Sequence, residues 1–362
     1  MLLRNPSQGH NLCFLVGLLL ESCMYNKTMV LREGFSMTIF TRGLMAAGAA
    51  VAFTFPATAQ TDIKIGYALA EDSHYGVAAK KFEEAVKAET GDDFSFTHFP
   101  SSGLGGEREV IEGLQLGTVE VTIVSSGTLA NFVPETGVFD IPFLFRDLSH
   151  ARSVLDGPIG EDILAKFDNV GLHALAWGEQ GFRHITNNRN AINTPADVQG
   201  LKLRTMENPV HLAAFNAMGA APTPMAWPEV ISSMQQGVID GQENPLSVIV
   251  SVKLDEVQKY LTLSGHVYSP AMLLVSKPFW EGLNDEQKAA FDKAATEAVA
   301  AMRGYVDNVE TSGVEILKER GMQVNALTAE EKAEFQASIQ SAYEGYYKTY
   351  GEELVKSIVA SE

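Results

Sequence analysis

The run Asp62-Ile-Lys-Ile-Gly-Tyr67, Ala78 to Glu89, Phe94-Ser-Phe-Thr-His-Phe99, Glu107 to Leu116 and Val119-Glu-Val-Thr-Ile-Val124 decides the fold class. The first, third and fifth pieces alternate or are β-branched, as strands do. The second and fourth carry apolar residues at helical spacing, with Phe82, Ala85 and Val86 on one face. Strand, helix and strand in succession predict an α/β protein whose parallel sheets are covered by helices. The pattern continues with strands expected at Leu172 to Trp177, Phe182 to Thr186 and Leu201 to Arg204, and a strand buried on both faces at Ala271 to Ser276.

A long helix is expected from about Asp285 to Arg320. Asn284 and Gln287 form a capping box at its start, and Gly304 and Gly313 do not obviously stop it. A second box, Thr328 with Glu331, opens a terminal helix ending near Tyr350. A helix three times the mean length suits a strut between two lobes better than the cover of one. No Pro/Gly/Ser linker divides the chain, so two domains would exchange strands.

The N-terminus reads as a leader. Thr41-Arg42 is a basic start, Gly43 to Phe55 an apolar core and Ala57-Thr58-Ala59 a small-x-small cleavage site, which puts the mature start near Gln60. A further apolar run from Leu12 to Leu20, with methionines at 24 and 29, suggests a start assigned too early. Neither run reaches the roughly 20 residues that span a bilayer. No membrane insertion of the mature chain is therefore expected. Cys13 and Cys23 both fall in residues 1–59, so the remainder has neither a disulfide framework nor a thiol nucleophile.

The whole chain carries 27 basic and 45 acidic residues. Leaving out residues 1–59 leaves 23 against 43, which excludes nucleic acid as a partner because phosphate binding needs a clustered basic face. A small anion must then be held by a few local donors. Arg204 is the candidate, at the end of the alternating segment Gly200-Leu-Lys-Leu-Arg204 and before the proline-marked helix start at Pro209. A guanidinium is always charged and its planar fork fits the two oxygens of a carboxylate. Other chemistries are set aside. Gly103-Leu-Gly-Gly106 lacks the third glycine of a dinucleotide loop, no histidine pair has metal-ligand spacing, and no serine sits in a Gly-x-Ser-x-Gly setting.

Gly181-Phe-Arg-His-Ile-Thr-Asn187, Gly200 to Arg204, Pro224-Met-Ala-Trp-Pro-Glu-Val230 and Gly237-Val-Ile-Asp-Gly-Gln-Glu-Asn-Pro245 together resemble the DctP-like solute receptors of TRAP transporters. Pro100 to Arg108 and Val257 to Leu263 extend the similarity over nearly all of Asp62 to Tyr350. The resemblance implies a two-lobed, type II-like periplasmic binding protein with crossing hinge strands and a long helix spanning both lobes. The expected lobes are 60–180 plus 270–309 and 181–269 plus 310–362. It also implies a receptor, not an enzyme, that works as a monomer without cofactor or metal and hands a small carboxylate to the permease's membrane subunits.

By position, the resemblance gives Arg204 the bidentate bridge to the ligand carboxylate and Arg183 a second positive contact, or else a bond to a loop carbonyl. Asn244 would donate to the same carboxylate with Gln242 nearby, while Pro245 equally suits an Asx turn. Trp227 would lie against the carbon skeleton or belong to the core. Facing them, at strand ends where open α/β sheets bind ligands, are Glu71 and His74 in Ala70-Glu-Asp-Ser-His-Tyr75, and Ser125. An acidic Glu71 would accept sugar hydroxyls and repel a second carboxylate, which favours a hexuronate or aldonate over a C4-dicarboxylate. Two other readings stay open: a secreted enzyme using His74 and Glu71 as an acid–base pair, and a receptor serving a sensor or an ATP-driven importer.

Overall fold

The computed structural model describes residues 60–361, so the leader and its cleavage site lie outside the described residues. The chain opens with β1 (Thr61–Tyr67), α1 (His74–Thr90), β2 (Phe94–Phe99), α2 (Glu107–Gln115) and β3 (Val121–Ser125). β1 pairs in parallel with both β2 and β3, the arrangement the opening pattern predicts. α1 starts four residues earlier than its apolar spacing suggested, because the Ser73 hydroxyl caps it by accepting from Gly76 N at 3.3 Å. Short helices α3 (Ser126–Leu129), α4 (Leu148–Leu155) and α5 (Pro158–Leu164) lead to β4 (Leu172–Asn187).

β4 is the first departure from expectation: the two strands predicted at 172–177 and 182–186 are one strand of 16 residues. The intervening Gly178-Glu-Gln-Gly181 breaks the alternation yet stays extended, with register shifts against its partner at Ala174/Ala176, Glu179/Gly181 and Arg183/Ile185. Gly181, at φ 109°, supplies the backbone conformation that the central bulge needs.

The chain continues through β5 (Lys202–Thr205), α6 (Pro209–Ala217), β6 (Ala221–Pro224), α7 (Trp227–Gln235), β7 (Gly241–Pro245) and α8 (Leu246–Ser251) to β8 (Tyr260–Ser276). β8 is also longer than expected, at 17 residues. It runs antiparallel to β4 along nearly its whole length. The sheet order is β2-β1-β3-β8-β4-β7-β5-β6, so the two long strands join a parallel group on one side to a second parallel group, β7-β5-β6, on the other. This is the two-lobed α/β fold with crossing strands. The prediction of parallel sheets holds on both flanks, and the centre is antiparallel because β4 and β8 each pass from one half to the other.

After α9 (Lys277–Gly282), α10 (Asp285–Glu319) runs unbroken for 35 residues from its Asn284–Gln287 capping box. At 1.5 Å per residue it reaches about 50 Å, the length of the strands it lies along. Its first half packs Phe291 against Phe82 and Phe94, both edge-on with centroids 5.4 Å apart. Its second half buries Val309 and Leu317 with Leu246 and Ile249 of α8. Gly313 fits there because an added Cβ would lie 3.2 Å from Val250 Cγ2.

β9 (Gln323–Ala326) pairs with β8, and the single terminal helix expected is three: α11 (Ala329–Ser338), α12 (Gln340–Tyr350) and α13 (Glu352–Ala360). Gly351, at φ 88°, turns the chain between the last two. The terminal helices, expected with the second lobe, straddle both halves. Val355 and Ile358 bury beside Val138 and Phe139, and the Tyr346 hydroxyl donates to Val210 O at 2.9 Å.

Candidate functional site

The carboxyl ends of β1, β3, β5 and β7 and the first turns of α2 and α7 surround one cavity, floored by Gln180 and Arg183 of β4. Arg204 enters it from the end of β5, and only 3% of the residue is exposed. Its Nε and Nη2 both donate to Met225 O, at 2.9 and 2.6 Å, and its charge lies 5.7 Å from the Trp227 ring. Among the described residues it enters no salt bridge. Burial pulls its pKa down to about 10, with Glu243 and Glu107 opposing the shift and Arg183 adding to it. The guanidinium therefore remains positively charged, and among the described residues no carboxylate is in contact with it.

Arg183 also lines the cavity, the place from which a second positive contact was expected, but its charge is already matched within the protein. It sits in the middle of β4, is fully buried, and grips both carboxylate oxygens of Glu243 on neighbouring β7. Nη2 also donates to Glu243 O at 2.6 Å and Nη1 to the Ser269 hydroxyl at 3.2 Å. Burial pushes Glu243 up, but Arg183 and a 3.2 Å contact from His266 outweigh it and hold the carboxyl well below the usual range. The pair is closed on itself, so Arg183 reaches the cavity with its charge already matched. Neither of its sequence-based readings, a ligand contact or a loop carbonyl bond, anticipated that partner.

Asn244 lines the cavity, and its Nδ2 donates to Gln242 Oε1. Gln242 is buried behind it and donates to Thr186 Oγ1 at 2.9 Å, so it orients Asn244 without reaching the cavity wall itself. One Asn244 N–H and its carbonyl are left for a ligand. Trp227, the first residue of α7, lines the cavity as expected. So does Ser125, whose Oγ accepts from Gln180 Nε2 at 2.8 Å.

The loop after β1 is where the sequence reading fails. Glu71 points to solvent and pairs with Lys80 at 3.0 Å, and it does not line the cavity. His74 is fully buried against Tyr75 and Tyr305, and among the described residues neither of its ring nitrogens has a hydrogen-bond partner. Burial pushes its pKa down to about 3, so the ring is neutral. No His74–Glu71 bond exists, which leaves the acid–base pair of the enzyme reading unformed. Tyr75 is the residue of this loop that faces the cavity.

Two acids line the cavity, Glu207 and Glu107, the latter being the first residue of α2. Glu107 accepts from Ser125 N at 2.9 Å and from the Thr128 hydroxyl at 2.7 Å. Burial pushes its carboxyl up, countered by those bonds and by the more distant Arg204 and Arg183. Glu107 lies in the Pro100 to Arg108 segment that carried part of the resemblance, so the signal was present without being assigned to the site. Gln180 and Thr128 gave no local signal.

The family model for bacterial extracellular solute-binding proteins, family 7 (DctP), matches residues 65–349. A TRAP periplasmic solute-binding protein from Bordetella bronchispeptica, with density interpreted as pantoate, is 55% identical. It superposes with a TM-score of 0.82 over 84% of this chain and 100% of that one. A second, from Polaromonas sp. JS666 bound to D-erythronate, is 48% identical with the same TM-score, over 84% and 99%. The 2,3-diketo-L-gulonate-binding periplasmic protein YiaO of Escherichia coli strain K12 is 37% identical over 284 residues, 78% of this chain and 86% of its own. Other solved TRAP receptors of this fold hold galactonate, β-D-galacturonate, β-D-glucuronate or succinate. This chain belongs to the DctP family and is a TRAP solute receptor.

Proposed function

We propose that the ligand is a polyhydroxylated monocarboxylic acid, an aldonate or hexuronate, bound in the periplasm and delivered unchanged to the permease's membrane subunits. One observation carries this reading: among the described residues that line the cavity, Arg204 is the guanidinium whose charge meets no carboxylate, whereas Arg183 is neutralised by Glu243 and the exposed Arg108 pairs with Glu112. One anionic group of the ligand is therefore matched by one free guanidinium, with Asn244 beside it and Trp227 against the carbon chain.

Polar groups line the rest of the wall. Ser125, Thr128 and Gln180 suit hydroxyls, and Glu107 would accept a hydroxyl proton while repelling a second carboxylate. The argument from acidity that the sequence attached to Glu71 thus passes to Glu107. The relatives that hold D-erythronate, galactonate and hexuronates support the same class.

Both halves of the sheet line the cavity, so ligand contacts on both sides favour closure. That differential contact is all a ligand can contribute to the switch. We place the hinge at the Glu179–Gly181 bulge of β4, beside the boundary drawn between residues 180 and 181.

The test is calorimetry of purified protein against D-erythronate, galactonate, glucuronate, galacturonate and succinate. At least one polyhydroxy acid should bind more tightly than succinate. At a hundred times its Kd it should stabilise the protein by about 2.7 kcal/mol. Succinate binding tightest would overturn the ligand class.

A further inference from the structure

The first turn of α1 is built around a close approach that only glycine allows. A Cβ on Gly76 would lie 2.2 Å from Glu71 O, and the Ser73 hydroxyl caps the same turn. This packing sends the Glu71 side chain out to Lys80 and turns Tyr75 inward, with 1% of the residue exposed. Tyr75 lines the cavity, and its hydroxyl has no hydrogen-bond partner among the described residues. Glu107 lies close enough to act on the hydroxyl by charge and as a hydrogen-bond acceptor, although no bond of full geometry forms between them. Burial, with Glu107 adding to it, pushes the phenol well above its ordinary pKa, so it stays a neutral donor and acceptor at any physiological pH.

A buried hydroxyl without a partner costs stability, and a phenylalanine would fill the same space without that cost. We infer that Tyr75 is a specificity residue whose hydroxyl reads one hydroxyl group of the ligand, an inference that rests on the ligand class proposed above. A sugar-acid hydroxyl can accept from Tyr75 Oη while donating to Glu107. A methylene can do neither, a ketone can only accept, and a carboxylate is repelled by Glu107.

The experiment is calorimetry and thermal melting of wild type and Tyr75→Phe, with D-erythronate, galactonate, and the monodeoxy analogues of whichever binds more tightly. Tyr75→Phe should weaken the parent acid about five- to tenfold, as loss of one neutral hydrogen bond implies. It should leave the ligand-free melting temperature equal or slightly higher. One monodeoxy analogue should bind both proteins equally, which identifies the hydroxyl being read. Unchanged affinity of Tyr75→Phe for an acid that wild type binds overturns the role of Tyr75 and leaves the ligand class standing. A lowered ligand-free melting temperature overturns it as well, by showing that the hydroxyl is satisfied within the protein. If no polyhydroxylated acid binds wild type, the ligand class fails and this inference falls with it.

Discussion

Replacing Arg204 by methionine should separate binding from stability. The substitution keeps an unbranched chain in the wall and removes the charge. A guanidinium whose pKa is pulled down to about 10, mainly by burial, costs on the order of 3 kcal/mol for staying charged. The sign is that of a cation whose pKa is depressed by folding. The cost is present at every pH below about 10 and is relieved only above it, so it is constant over the working range. Methionine removes that cost and strands Met225 O, which loses two donors at about 1 to 3 kcal/mol.

The two nearly cancel, so the ligand-free protein should melt at the wild-type temperature or a few degrees above it. Affinity should fall by at least about 2 kcal/mol, roughly 30-fold, because the ligand carboxylate would be desolvated against no charge. Thermal melting with and without ligand, together with calorimetry, reads both quantities. A Kd within threefold of wild type would refute the anchor, and a ligand-free melting temperature lowered by many degrees would make Arg204 structural. Arg204→Lys should recover little, since an ammonium cannot serve Met225 O and a carboxylate in one plane.

Three further outcomes follow from the same geometry. Glu243→Gln leaves Arg183 charged and buried without its partner, and should lower stability in urea melts by about 3 to 5 kcal/mol; a loss under 1 kcal/mol would mean the pair is not closed. Glu310 abuts Gly181, the glycine of the proposed hinge, its Oε1 has no hydrogen-bond partner among the described residues, and burial, Glu179 and Asp307 push its carboxyl up to about 7. Folding favours its protonated form, so this carboxyl's contribution is lost as pH rises from about 4.5 through 7. Glu310→Gln should then stabilise by about 1 to 3 kcal/mol at pH 8 and by nothing at pH 4, and equal effects at both pH values would count against it. Gly127→Ala puts a Cβ 2.5 Å from Met206 Sδ where the two halves meet. It should weaken binding and reduce ligand-induced compaction in X-ray scattering, with rescue by Met206→Ala; full compaction in the single variant would rule that contact out as a closure point.

The sequence determined the elements that local chemistry sets. The alternation of β1, β2 and β5, the capping boxes at Asn284 and Thr328 and the helical stripe of α10 all act within a few residues, and they formed where expected. It also delivered Arg204 to a strand end, because the residue pattern 200–209 is a local property. It misread β4 and β8, since the glycines that break their alternation are absorbed by bulges that only a partner strand 17 residues long can stabilise.

Which polar groups are free was decided by tertiary structure alone. Arg183 and Glu243 are 60 residues apart in sequence, and they neutralise one another only because β4 and β7 pair in one register. Likewise, which of Glu71, His74 and Tyr75 faces the ligand depends on how α1 is rotated against the sheet, and on a turn at Gly76 tight enough to exclude a Cβ. A chain states which charges it carries. Whether a charge is spent within the protein or left for a ligand is a matter of distance in space, where Coulomb attraction and desolvation act.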